Sequence, residues 1–411
     1  MSGSLVRLSS FELRFFVWCL AVFSTFIAPI KVYPLFFVAF IFSHILFVKK
    51  DELKIRKKLF LVIFMTIMLI LTFIFAGIKG FERFGVIKFV DYFKMALNYS
   101  FLAVSLHFFS SCKSETLRLS IYFKRLFVLI LLLSLFQLLN NIYQINFWTV
   151  PFDGSNNKSW VSYRLTLPGV LFGDLNKNIW STKVIFFCIM LFLFKWKGII
   201  DFKRFTWWLI VFLVLFFVVY SLSRTGQVVF ATFLVVSLFV SVLESQRFRS
   251  FRLLFISFLL LTIGFLSQFV IGKVIHLDIS NASSDGLASR IVIWYTFINH
   301  GDFINLLGFG VNSASHFISE YVGRQENNFH NVFINLVFES GLIGLLLFLL
   351  ILFWLYFRNE YVKSDRSLSF VLLLPLLVCL NSHYVGYDAD LVIYLINSYV
   401  VLMLNKFKLQ M

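Results

Sequence analysis

Along this chain, apolar residues run for roughly 17–20 positions at a time and stop at short knots of charge. About 20 apolar residues in a helix cover the roughly 30 Å hydrocarbon core of a bilayer, so each run predicts a membrane-crossing helix. The runs fall at 11–30, 32–48, 59–78, 95–112, 126–139, 179–194, 206–222, 227–243, 253–271, 333–357, 367–380 and 391–405. The expectation is an all-α, polytopic integral membrane protein of about twelve transmembrane helices, with residues 1–411 forming one membrane domain. The first run is followed at once by the second and has no small-residue cleavage site after it, so it is read as a retained span.

Composition agrees: 60% of the 411 residues are hydrophobic and 14% charged, with a mean hydropathy of +0.89. A soluble chain would carry nearer 25% charged residues. The net charge of +17 raises the question of nucleic acid. Nearly all the cations, however, sit in short clusters at the ends of apolar runs, without the glycines or interleaved aromatics of a nucleic-acid surface, and no nucleic-acid partner is expected. They recur in alternate connections: Lys49 to Lys58, Lys113 to Arg125, Lys195 to Arg204, Arg247 to Arg252, Arg358 to Arg366, and Lys406 with Lys408. By the positive-inside bias these connections and both termini face the cytoplasm. The four cysteines lie in or at the ends of apolar runs without CxxC spacing, so neither a disulfide framework nor a metal site is indicated. The many phenylalanines read as lipid-facing bulk.

Three outward connections have the length or content to carry chemistry: 140–178, 222–226 and 272–332. The last, between the ninth and tenth spans, is long enough to be a functional, partly structured loop, and we read 272–332 as a catalytic loop. Arg290 lies in a segment of helical periodicity beside Trp294 and Tyr295, where it either meets a substrate anion or snorkels to lipid phosphates. A glycine-rich turn follows at Gly308 and Gly310. His330-Asn331 then precedes a new apolar helix in which Gly341 and Gly344 would let another helix approach closely. Arg224, in Ser223-Arg224-Thr225-Gly226, is costly in hydrocarbon and is expected to face the bundle interior or a wet cavity and pair with an anion. Arg164 and Asn176 lie in the stretch that ends the 140–178 loop just before the sixth span, where they either meet a substrate or only form turns. Asp388, in an outward cluster from His383 to Asp390, either supplies a carboxylate to His330 or an arginine, or caps the twelfth span.

This set suits a multiply charged anion and one proton transfer. Guanidinium forks match phosphate oxygens, and an imidazole titrates near working pH. Displacement of a pyrophosphate leaving group by a hydroxyl would use it directly: arginines stabilise the developing diphosphate charge and His330 takes the hydroxyl proton. No Gly-rich phosphate loop or metal-ligand cluster is seen in the sequence, so neither a metal nor a soluble nucleotide donor is expected.

Ser-Arg-Thr-Gly at 223–226, the Arg290 segment ending in Gly-Phe-Gly at 308–310, and His330-Asn331 followed by Gly341-x-x-Gly344 resemble the bacterial O-antigen ligases and O-antigen polymerases. The resemblance covers roughly 160–360 by motif and the remainder by topology. It implies glycan transfer from undecaprenyl pyrophosphate to a sugar hydroxyl at the periplasmic face of the inner membrane, by an inverting course without cofactor, nucleotide or metal. Arg224, Arg290 and His330 would be catalytic, with Arg164, Asn176, Asn331 and Asp388 as substrate contacts. The acceptor would be another lipid-linked repeat in a polymerase or the lipid A core in a ligase. The gap from Arg290 to Gly301 looks like polymerase spacing and the His-Asn-glycine pattern like that of ligases; polymerase is preferred. Expected partners are these lipid-linked glycans, membrane lipids and a chain-length regulator. A transporter of lipid-linked sugars is the alternative class, to which Lys183, His44 and His107, near span interiors, would be relevant.

Overall fold

The computed structural model describes residues 9–27, 32–48, 57–85, 88–112, 115–144, 164–165, 175–221, 223–244, 286–381 and 384–408. It is helical: α1 (Ser10–Ile27), α2 (Tyr33–Phe47), α3 (Lys57–Phe84), α4 (Phe89–Ser111), α5 (Thr116–Gln144), α6 (Lys177–Trp196), α7 (Arg204–Tyr220), α8 (Arg224–Glu244), α9 (Gly286–Asn299), α10 (Val332–Phe353), α11 (Arg366–Leu380) and α12 (Ala389–Lys408). Eleven of the expected spans have a helix among the described residues, and the one at 253–271 lies outside them. Seven of the described helices are long and apolar enough to cross a membrane, and Tyr33–Phe47, Arg204–Tyr220 and Arg366–Leu380 are shorter apolar helices.

Burial sorts the helices into an inner and an outer set. Nearly every residue of α6 from Trp180 to Phe194 and of α12 from Leu391 to Leu404 is buried, so these two form the centre. On α3, Phe60, Phe64, Ile67, Leu71, Ile74 and Ile78 recur at helical spacing and are all exposed. Such an apolar stripe left outside the core is the mark of a lipid-facing surface.

The two ends of the bundle segregate as the charge alternation requires. At one end, Lys197 after α6 pairs with Asp365 before α11 at 2.6 Å, Asn405 near the end of α12 donates to the same carboxylate at 3.0 Å, and Tyr122 of α5 reaches Glu12 of α1 at 3.0 Å. At the other end, Asn98 of α4 donates to the Tyr387 carbonyl at 2.8 Å, Gln137 of α5 to the Phe26 carbonyl at 2.8 Å, and Asn331 to Asn381 at 2.8 Å.

The ionisable residues near span interiors have local partners. Lys183 of α6 lies 3.1 Å from Asp390 of α12 and donates to the Thr25 carbonyl at 2.6 Å. Both charges are buried, so each offsets the other's cost of leaving water. His44 and His107 bond to each other at 2.8 Å, with Arg14 3.4 Å from His44.

Candidate active site

Helix α9 is fixed to the start of α10 by one polar and many aromatic contacts. Trp294 Nε1 donates to the Phe329 carbonyl at 2.6 Å. One helical turn further on, Phe297 packs with its ring centroid 5.1 Å from that of Phe329. Around them lies a second apolar core, separate from that of the bundle, built from Ile293, Phe303, Phe309, Phe317 and Phe338. Phe338 is its hub, 5.1 Å from Phe309, 5.2 Å from Phe317 and 5.4 Å from Phe329. These phenylalanines are therefore not lipid-facing bulk. Aromatic burial of this kind holds a polar loop rigidly against the bundle.

This packing carries Arg290, one turn before Trp294, to the side of the loop that ends in His330. Glu326 completes the group: its Oε2 accepts from His330 Nε2 at 3.2 Å. That hydrogen bond, first of all, holds the Glu326 carboxyl below its ordinary range, against the opposing effect of burial; the charges of Arg290 and Arg324 add to it. Burial lowers the Arg290 guanidinium from its ordinary value, and the negative charge of Glu326 opposes that. The carboxylate partner of His330 is thus Glu326, and not a member of the 383–390 cluster.

The backbone of His330 is itself unusual. Its φ is +53°, the left-handed region that a side chain rarely occupies, and its amide donates to Asn328 Oδ1 at 2.8 Å. Asn331 next caps α10, accepting from the amides of Phe333 at 2.9 Å and Ile334 at 3.1 Å. Glu326 takes the Nε2 side of the ring and leaves Nδ1 as the other polar atom. Nδ1 is buried and has no hydrogen-bond partner among the described residues. A buried imidazole nitrogen without a partner has hydrogen-bonding capacity left for an incoming group.

Behind this group α10 is broken. Gly341 has φ +72° and ψ −175°, a conformation essentially restricted to glycine. The turn at 305–310 docks into the break: the amides of Leu342 and Ile343 donate to the carbonyls of Asn305 and Leu306 at 3.0 and 3.2 Å. In return, Phe309 and Gly310 donate to the carbonyls of Phe338 and Glu339 at 2.9 and 2.7 Å. Gly308 is needed for the approach, since a Cβ there would lie 2.5 Å from the Gly341 nitrogen. The expected helix approach at the glycine pair is thus split. Gly341 receives a loop, and Gly344 faces Leu69 of α3, 3.6 Å from where a Cβ would stand.

Of the other candidate residues, Arg224 opens α8 behind Ser223, whose hydroxyl accepts from the Gly226 amide at 3.3 Å. Gly226 lets α8 press on Ser181 of α6. Arg224 is exposed at the helix mouth rather than turned into the bundle, because Ser223 and Gly226 take the buried positions of that turn. Arg164 and Asn176 are register partners in a two-residue antiparallel pairing. The Asn331 carboxamide is occupied by its cap and by Asn381. Asp388 accepts from the Val385 amide at 2.7 Å, and burial, first of all, pushes its carboxyl up to about 7. Both shape loops rather than face open space. Among the described residues, no three His, Cys, Asp or Glu side chains gather around one metal position.

Sequence reasoning missed Glu326 and Arg324. Glu326 lies four residues before His330, a spacing that announces a contact only on a helix, and this stretch is irregular. We predict that Glu326→Gln lowers turnover at least about 10-fold, within the roughly 10⁴-fold known for a carboxylate that orients a catalytic imidazole. Because its pKa is depressed on folding, the Glu326 contribution is present above the ordinary carboxylate range and is lost as pH falls through the lowered value. A pH profile of the Gln variant that has lost this acid limb checks the assignment.

Comparison with known families finds that residues 209–349 match the family described as O-antigen ligase. No curated protein matches the chain.

Proposed function

We propose that this protein, whose residues 209–349 carry an O-antigen ligase family segment, transfers a glycan from undecaprenyl pyrophosphate to a sugar hydroxyl at the periplasmic face of a bacterial inner membrane. The observation that carries this reading is the Arg290, Glu326 and His330 group, with its unpaired buried Nδ1, inside the matched segment. The alternating positive connections support an orientation with both termini in the cytoplasm and this group outside. The family match gives the transporter alternative no support, and the pairing of Lys183 with Asp390 accounts for the charge that would have favoured it.

In the proposed step, the acceptor hydroxyl attacks the anomeric carbon of the donor from the face opposite the pyrophosphate. Its oxygen forms the new glycosidic bond while the carbon–oxygen bond to the pyrophosphate breaks, inverting the centre. His330 Nδ1 takes the hydroxyl proton, and Glu326 accepts from Nε2–H, holding the tautomer and balancing the imidazolium. The electron pair leaves with the pyrophosphate, whose growing charge is met by Arg290, with Arg224 as the second cation. Arg164 and Asn176 contact the glycan or its pyrophosphate, while Asn331 and Asp388 act by holding the loops.

The acceptor we favour is a second lipid-linked repeat, which makes the protein a polymerase working beside a chain-length regulator. The spacing from Arg290 to Gly301, where a tight turn follows α9, favours it. The ligase reading, with lipid A core as acceptor, rests on the His-Asn-glycine pattern and on the family's own description. A lipopolysaccharide gel from a deletion strain, with the lipid-linked pool extracted in parallel, separates them. A polymerase leaves core carrying one repeat and no ladder. A ligase leaves bare core, with long chains accumulating on undecaprenyl pyrophosphate.

A further inference from the structure

At the end of the bundle opposite His330, a cavity of about 720 Å³ opens between the start of α3, the end of α10 and the start of α11. Its walls are apolar, with Leu61, Leu350 and Phe357 among them, and Arg358, Lys363 and Arg366 gather at its edge. A second, largely apolar cavity, of about 350 Å³, lies across α11 against the end of α8, where Glu244 lines it, and shares Arg366. Two apolar grooves therefore flank one cluster of three cations.

Among the described residues, no carboxylate pairs with these cations. Asp365, the nearest carboxylate in sequence to Lys363 and Arg366, is taken by Lys197 at 2.6 Å, Asn405 at 3.0 Å and the Leu368 amide at 2.9 Å. Arg358, Lys363 and Arg366 form no ion pair among the described residues; Arg358 only lies over the Phe353 ring at 5.9 Å. Three concentrated positive charges at the membrane edge, above grooves lined with hydrocarbon, complement one kind of molecule. It has an anionic phosphate head and more than one acyl chain.

We propose that this is a binding site for an anionic phospholipid. Its phosphate sits among Arg358, Lys363 and Arg366, and its acyl chains lie in the two grooves on either side of Arg366. By the charge alternation, the lipid belongs to the cytoplasmic leaflet. The site is distinct from the proposed transfer chemistry, since α10 and the turn after it, 27 residues from Val332 to Arg358, place roughly 35–40 Å between them at 1.5 Å per residue.

The test uses the purified full-length chain in mild detergent. Native mass spectrometry would count retained phosphatidylglycerol and phosphatidylcholine, with and without inorganic phosphate as competitor. Phosphatidylglycerol should be retained in preference to phosphatidylcholine. Arg358→Ala/Lys363→Ala/Arg366→Ala should weaken its retention about 10- to 100-fold. Leu350→Trp, which fills the groove and keeps every charge, should weaken it too, and serves with Lys363→Ala alone if the triple variant does not fold. Equal retention of the two lipids, retention unaltered by Leu350→Trp and Lys363→Ala, or full displacement by inorganic phosphate would each overturn the proposal.

Discussion

Replacing His330 by alanine should lower glycan transfer by about 10²–10⁴-fold, the usual contribution of a positioned general base. Arg290→Ala should cost about 10²–10³-fold, as for the loss of one donor to a developing oxyanion. The two side chains serve one transition state, so the double variant should lose far less than the product of the single losses. Both variants should insert and purify like the parent, because neither side chain belongs to the aromatic core beneath the loop. Arg290→Lys should recover only part of the loss, since an ammonium cannot match two phosphate oxygens at once. The measurement is the initial rate on lipid-linked substrate, with expression and thermal stability recorded for each variant. Near-parental rates in both His330→Ala and Arg290→Ala would remove the proposed chemistry.

Gly341→Ala should disable the protein by another route. At φ +72° and ψ −175° an alanine carries roughly 1–3 kcal/mol of backbone strain. Its Cβ would also stand 2.2 Å from the Leu306 carbonyl oxygen and 2.5 Å from the Leu307 nitrogen. Both are backbone atoms that cannot move aside without breaking the four hydrogen bonds between 305–310 and the interrupted helix. Each buried backbone group left unpaired costs about 1–3 kcal/mol. The turn should therefore leave α10, and with it the loop carrying Phe309 and the platform beneath His330. We expect loss of transfer and a fall in thermal midpoint in a chain that still inserts. Gly301→Ala, where a Cβ meets nothing within 4 Å, should leave the midpoint unchanged. Equal midpoints for Gly341→Ala and the parent would mean that the break in α10 is not needed.

The helices were legible because each rests on a local property, an apolar run of membrane length bounded by charge. Even the shared bundle ends of Lys197, Asp365 and Asn405 follow from the alternation of basic connections. In the candidate site, Arg290 and His330 stood out as polar residues in an apolar chain. Glu326 did not, because its pairing with His330 depends on the irregular path of residues 327–329. The capping role of Asn331 was not legible for a related reason: a helix cap and a ligand contact use the same carboxamide oxygen, and sequence does not choose between them. The break at Gly341 was hidden by composition, since α10 is apolar on both sides of it and the partner turn lies more than thirty residues earlier. Phenylalanine was the most ambiguous residue, because a ring in lipid and a ring in the knot around Phe338 look alike in a hydropathy pattern.

The central claim is that this membrane protein joins one lipid-linked repeat to another with its own side chains. Purified protein in vesicles, supplied with one undecaprenyl-pyrophosphate-linked repeat and no nucleotide or divalent metal, tests it most directly by the length of the lipid-linked glycan over time. The account predicts lengthening, with one undecaprenyl pyrophosphate released per bond, that persists in chelator and is lost in His330→Ala. Repeats that stay single in the presence of active-site-intact protein, or lengthening that proceeds equally in His330→Ala, would contradict it.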